Sequence, residues 1–182
     1  MRLNDKQVWY DFAYNLLFPA VLGSMIYDVA DARQRTFSDE NYWFKLLILA
    51  FYCLDYLFLY HDLKRPPDKR KASEIVMDVF IALAYRVAFS FAQLENYRRA
   101  LLTFVVILLA ICLYLNRTLF ERVYFRILLG IMTVAVVYSR LSRDHSDAWY
   151  HFVPLAAVFV AYLIYVFALF DRFVKEKGKY NV

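Results

Sequence analysis

The sequence predicts an all-α fold, a polytopic transmembrane helical bundle of about six spans with both termini on the cytoplasmic side. Three observations predict it. Hydrophobic residues make up 62% of the 182 positions and aromatics 20%; a soluble fold of this size cannot hide so much apolar surface, whereas lipid solvates it directly. Charged residues are not scarce, at 21%, but they gather between long apolar runs. Those runs are long enough to cross about 30 Å of hydrocarbon as helices, and they lack the alternation of barrel strands. Open strands are excluded, because lipid leaves unpaired backbone groups unsatisfied.

The first segment covers 8–29. Its basic start and Ala30-Asp31-Ala32 imitate a secretory signal, but Asp11, Asn15 and Pro19 interrupt its core, so it reads as a retained span. The second, 42–61, opens on Tyr42-Trp43 and is closed by Pro66-Pro67, since proline cannot continue a helix and constrains the residue before it. The third, 73–94, contains Asp78 and Arg86; the fourth, 100–115, contains no charge. The fifth, 120–139, carries Arg126 near its start, and the sixth, 149–170, opens on Trp149-Tyr150. Trp9, Tyr10, Tyr60 and the aromatic pairs named above suit headgroup depth, where amphipathic rings settle. Residues 1–182 thus read as a single transmembrane domain, without internal repeat and with only 3 Gly, which is unlike the repeated, glycine-broken halves of rocking transporters.

Orientation follows from lysine and arginine. If the turn Lys64-Arg65-Pro66-Pro67-Asp68-Lys69-Arg70-Lys71 is cytoplasmic, every lysine except Lys45 falls inside, including Lys175, Lys177 and Lys179 of the tail. The net charge of +5 is therefore assigned to topology and anionic headgroups, and no direct nucleic-acid partner is expected. Cys53 and Cys112 form no CxxC pattern and indicate neither a disulfide framework nor a thiolate metal site. His61, His145 and His151 fit no HExxH motif, the serines lack a GxSxG context, and the aspartates lack the DxxDG pattern of the phosphatidyltransferases. No metal, cofactor or catalytic residue is predicted.

The informative residues are charges within apolar runs, because each is costly in lipid and must find a partner or water. Asp11 and Asn15 are four apart and share one helical face; Asp55 and Asp62 are seven apart and do the same. Asp78 lies about one turn into the third segment and Arg86 near its middle, where Asp55 is its expected partner. With Arg126, these form the predicted polar core or ion pathway. Lys64, Arg65, Lys69, Arg70, Lys71, Lys175, Lys177 and Lys179 form the predicted surface for headgroups or an acidic cytosolic partner. Asp55-Tyr56-Leu57, the basic turn and Met77-Asp78-Val79 resemble the paired helices of voltage-sensor domains. The resemblance stops at those two segments, because no later segment carries arginine at every third position.

The expected function is that of a small multi-pass membrane subunit acting as a channel-like, membrane-perturbing or sensing component. It is expected to be a homo-oligomer in a bacterial cytoplasmic membrane, where it would suit a stress or antiphage defence system by recruiting a cytosolic partner. Two alternatives stand beside it: a cation- or proton-coupled solute transporter, and an intramembrane lipid enzyme built on His61 and Asp62.

Overall fold

The computed structural model describes residues 3–31, 40–62, 71–114, 119–141 and 148–178. Among them there is no strand, and the helices form six rods packed as a bundle. The first rod starts as α1 (Leu3–Asp11), passes through a π-helical turn at Phe12–Leu17 and resumes as α2 (Phe18–Ala30). Asp11 and Phe18, at the two joins, keep right-handed helical backbone, so the rod is continuous. Pro19 accounts for the turn. It offers no N–H to the carbonyl of Asn15, and its ring crowds that carbonyl. A wider ladder relieves the conflict, as in the Phe18 N–H bond to the Ala13 carbonyl, five residues back.

The remaining rods are α3 (Glu40–Asp62), α4 (Ala72–Gln93), α5 (Tyr97–Tyr114), α6 (Leu119–Leu141) and α7 (Ala148–Gly178). Between α4 and α5 the chain reverses in three residues. Asn96 N–H donates to the Phe91 carbonyl at 2.8 Å and Glu95 takes a left-handed φ of 55°, which closes α4. The Asn96 side chain then accepts from Arg99 N–H at 3.3 Å and caps α5.

Ring contacts fix the packing directions. Phe44 meets Tyr97 and Phe51 meets Phe104, so α3 and α5 run the same way. Phe51 also meets Phe159, and Asp55 meets Tyr162, so α7 runs with them. Tyr14 opposite Asp78 and Asp28 opposite Arg86 set the first rod parallel to α4. Tyr124 against Tyr165 and Tyr138 against Tyr150 make α6 antiparallel to α7. Each rod therefore reverses the direction of the one before it. We call the end where α3, α5 and α7 begin the far end, and the opposite one the near end.

The bundle is apolar on both sides of its helices. Phe18, Phe44, Phe51, Phe89, Phe104 and Phe125 are buried inside. Facing outward, Val76, Phe80, Leu83 and Val87 form one stripe on α4, and Leu102, Val106, Leu109 and Leu113 form another on α5. Comparable stripes on α6 (Val123, Ile127, Ile131, Val134) and α7 (Val153, Val160, Ile164, Phe167) extend the apolar surface around the bundle. In water such a surface drives association; in lipid it is the solvated face. The stretches Gln7–Ala30, Ala72–Gln93 and Tyr150–Phe167 are long and apolar enough to cross a membrane, and Val123–Tyr138 is a shorter apolar helix. The chain is an integral membrane protein.

Candidate functional site

Helical spacing places Ile48, Phe51, Tyr52 and Asp55 on one face of α3, and the burial of all four shows that this face looks into the bundle. Asp55 is only 8% exposed. A carboxyl group there must be hydrogen-bonded, because an unsatisfied buried acid is costly. Two tyrosines from different helices supply the donors. The Tyr85 hydroxyl of α4 donates to Asp55 Oδ2 at 2.6 Å, and the Tyr162 hydroxyl of α7 donates to Oδ1. Asp55 thus ties three helices together, and no lysine or arginine among the described residues pairs with it.

Toward the near end, Tyr14 of the π-helical turn donates to Asp78 Oδ2 of α4, and Asp78 is 6% exposed. A run of rings joins the two acids. Tyr14 stacks on Phe18 with centroids 5.5 Å apart, Phe18 on Tyr52 at 6.1 Å, and Tyr52 meets Tyr85 edge-on at 5.6 Å. The Tyr52 hydroxyl donates to the Phe18 carbonyl at 2.9 Å. The resulting core is a column of hydroxyls and carboxyls set among aromatic rings, in which each buried oxygen finds a partner at the cost of fixing helix register.

Arg86 is not part of this column. Its Nη2 lies 3.0 Å from Asp28 Oδ2 on α2, and its guanidinium sits 5.6 Å from the centroid of the Phe89 ring. The expected pairing of Arg86 with Asp55 is thereby corrected. Asp55 is already held by two hydroxyls, whereas Asp28 presents a carboxylate to the side of α4 that carries Arg86.

The other sequence candidates divide by position. Asp11 and Asn15 do meet, with Asn15 Nδ2 donating to Asp11 Oδ1 at 3.3 Å and Gln7 Nε2 donating to both Asp11 oxygens. All three side chains are exposed, Asp11 and Asn15 on the first rod and Arg126 on α6. Lys71 is exposed and precedes α4. Asp62 lies on α3, and Lys175 and Lys177 on α7, but their side chains are outside the described set; Lys64, Arg65, Lys69, Arg70 and Lys179 lie outside the described residues.

Sequence reasoning missed Tyr14, Tyr52, Tyr85, Tyr162 and Asp28. A usable signal existed for the tyrosines. Those at segment ends settle at headgroup depth, but a tyrosine in mid-segment must bring its hydroxyl to an acceptor, and an aspartate on a neighbouring segment is the obvious one. No protein-family model matches this chain, and neither a curated protein nor a solved structure similar to it was found.

Proposed function

We propose that the protein is a six-span membrane subunit with both termini in the cytoplasm, and that it acts as a channel-like or sensing component that takes up protons at its acid–tyrosine core. The observation that carries this reading is Asp55, buried, with both oxygens accepting hydroxyl protons from two other helices. While ionised, the carboxylate can accept from both tyrosines. On gaining a proton it becomes a donor at one oxygen, so the bond to α4 or to α7 must weaken or turn around. A proton at Asp55 is thereby converted into a change in how α3 is held by its neighbours, which suits a sensor and equally a gated relay.

The donor set favours a proton over a multivalent metal. Among the described residues no three His, Cys, Asp or Glu side chains come together, whereas a proton needs only one carboxyl group and its hydroxyl neighbours. The exposed Lys71, at the start of α4, suits anionic headgroups and an acidic cytosolic partner, and the proposed subunit is a homo-oligomer. A bacterial cytoplasmic membrane is the proposed location.

Proton flux into liposomes holding the purified protein, recorded with and without an applied voltage, tests the core. Wild type is expected to carry a flux that Asp55→Asn and Asp78→Asn both suppress, while the surface variant Arg126→Gln keeps it. Flux that survives Asp55→Asn rejects Asp55 as part of the path. If wild type is silent, hydrogen exchange across α3, α4 and α7 at two pH values decides for the sensor, which requires a difference that Asp55→Asn abolishes.

Topology is tested separately, in a background with Cys53 and Cys112 replaced by alanine. A cysteine at position 71 is expected to react with an impermeant maleimide only from the cytoplasmic side, and one at position 99 only from the opposite side. Labelling of both from one side would remove the six-span arrangement.

A further inference from the structure

The first rod and α6 are opposite edges of the bundle. Among the described residues the first rod packs only on α3 and α4, and α6 packs only on α5 and α7. Each edge rod therefore turns a wide face away from its own subunit. On the first rod that face carries Asp11, Asn15 and Gly23, and on α6 it carries Arg126, Gly130 and Val134, all exposed. Opposite charges thus stand on opposite edges. Asp11 accepts from the neutral amides of Gln7 and Asn15, and neither it nor Arg126 has an ion-pair partner among the described residues.

Contacts across the bundle fix the relative depth of the two faces. Phe18 of the first rod lies against Tyr52 and Tyr56 of α3, Asp55 beside them meets Tyr162 of α7, and Tyr162 meets Phe125 of α6. Arg126 therefore stands about level with Phe18, and Gly130, one turn further on, about level with Gly23. A Cβ built on either glycine would meet nothing within 4 Å among the described residues, so a neighbouring helix can approach both edges closely at that depth. Both rods run from the near end to the far end. The Arg126 side chain leans back toward the start of its helix, and its length carries the guanidinium toward Asn15 and Asp11, which lie about 4 and about 10 Å nearer that end than Phe18. A charge left facing lipid is costly, so each of the two needs a partner of the other's sign. Within one copy they cannot meet, because the central helices stand between them.

We propose that the first rod of one copy docks on α6 of a second copy, with Arg126 of one facing Asp11 and Asn15 of the other and Gly130 against Gly23. The proposal rests on the reading of the protein as a homo-oligomeric membrane subunit and names the surface that assembles it. The membrane holds all copies upright in the same sense, so the two parallel rods meet at equal depth. Their contact is heterologous, because its halves are different surfaces on opposite edges. A two-fold pair cannot satisfy it, so copies add head to tail and the assembly contains more than two.

The test uses the full-length protein with Cys53 and Cys112 replaced by alanine. In membranes of the expressing cells, Gly23→Cys/Gly130→Cys is expected to give a disulfide ladder of three or more copies on oxidation with copper phenanthroline. Either single variant should stay uncross-linked, because each cysteine faces the other's surface. Self-association is measured in liposomes by energy transfer between copies labelled at a cysteine in position 71, as lipid is added. Arg126→Gln and Asp11→Asn are each expected to need about tenfold more protein per lipid for half-assembly, the loss of one interhelical polar contact. Arg126→Lys and the exposed control Arg99→Gln should keep the wild-type value. Cross-linking of either single variant, or Arg126→Gln assembling like wild type, overturns the interface and leaves the arginine to the headgroups. Monomers in every sample overturn the homo-oligomer as well, without bearing on Asp55. If the paired cysteines themselves prevent assembly, the energy-transfer series, in which both glycines are intact, decides the outcome.

Discussion

Asp55→Ala is expected to lower the stability of the folded bundle by about 3 kcal/mol, because two buried tyrosine hydroxyls lose their acceptor at the same moment. Interhelical hydrogen bonds in membranes are worth only about 0.6 kcal/mol on average, since the unfolded segments also find partners in lipid. Tyr85→Phe and Tyr162→Phe, each of which removes one donor and leaves the carboxyl with the other, should therefore cost about 1 kcal/mol apiece. The aspartate substitution is different in kind. It leaves orphaned groups on α4 and α7 and a small void against α3, so its effect should exceed the sum of the two tyrosine changes. The double variant Tyr85→Phe/Tyr162→Phe should also be worse than additive, because only there does Asp55 lack every described donor. Unfolding in mixed detergent micelles, followed by helical circular dichroism, measures all four. An Asp55→Ala protein as stable as wild type would show that the three-helix tie contributes nothing.

The reason so much rests on one residue is the composition of the interface. α3 meets α4, α5 and α7 largely through aromatic rings, with Phe51 touching Phe104, Phe159 and Tyr162. Ring contacts in lipid favour close packing but set register weakly, because lipid tails compete for the same dispersion contacts. Asp55 accepts only where Tyr85 and Tyr162 arrive at its own level. Tyr14 and Asp78 repeat the device one layer nearer the near end, between the first rod and α4. Polar pairs therefore carry the specificity of a core whose bulk is aromatic.

The helical bundle was legible in the sequence because lipid leaves few options. Apolar runs such as the charge-free stretch of α5 can only be helical once strands are excluded, and the basic residues mark their ends. Asp55 and Asp78 could be singled out for the same reason, as acids too far from a segment end to reach water. What could not be read was which helix lies beside which. Arg86 is nearer in the chain to Asp55 than to Asp28, and only the parallel packing of the first rod on α4 shows that Asp28 is within reach. The π-helical turn was equally hidden. Pro19 was visible as an interruption, but the turn it induces covers Tyr14 and so helps set that hydroxyl's direction toward Asp78. Asp11 and Asn15 were correctly placed on one face, yet one helix in isolation does not say whether that face looks inward.

Arg86→Leu is expected to destabilise the bundle by about 2 kcal/mol, with most of the loss recovered in Arg86→Leu/Asp28→Leu. Arg86 and Asp28 retain 32% and 24% side-chain exposure, and that exposed part faces lipid or headgroups instead of bulk water. A lone charge at the centre of a membrane helix costs about 2.5–3.5 kcal/mol on insertion scales. Asp28 stands two residues before the end of α2, where headgroup water screens it, and the expected cost is reduced accordingly. The two single variants should differ. Arginine left without its acid can extend its long side chain toward the headgroups, whereas the short aspartate cannot move its charge. Asp28→Leu should therefore cost less than Arg86→Leu, and the coupling between the sites should be about 1–2 kcal/mol. The same cycle run with Asp55 separates the two possible partners of the arginine. Rescue of Arg86→Leu by Asp28→Leu and not by Asp55→Leu is required by the observed ion pair. The opposite result would move Arg86 into the acid–tyrosine core and give Asp55 a counter-charge, which removes the ground for reading that acid as a proton acceptor.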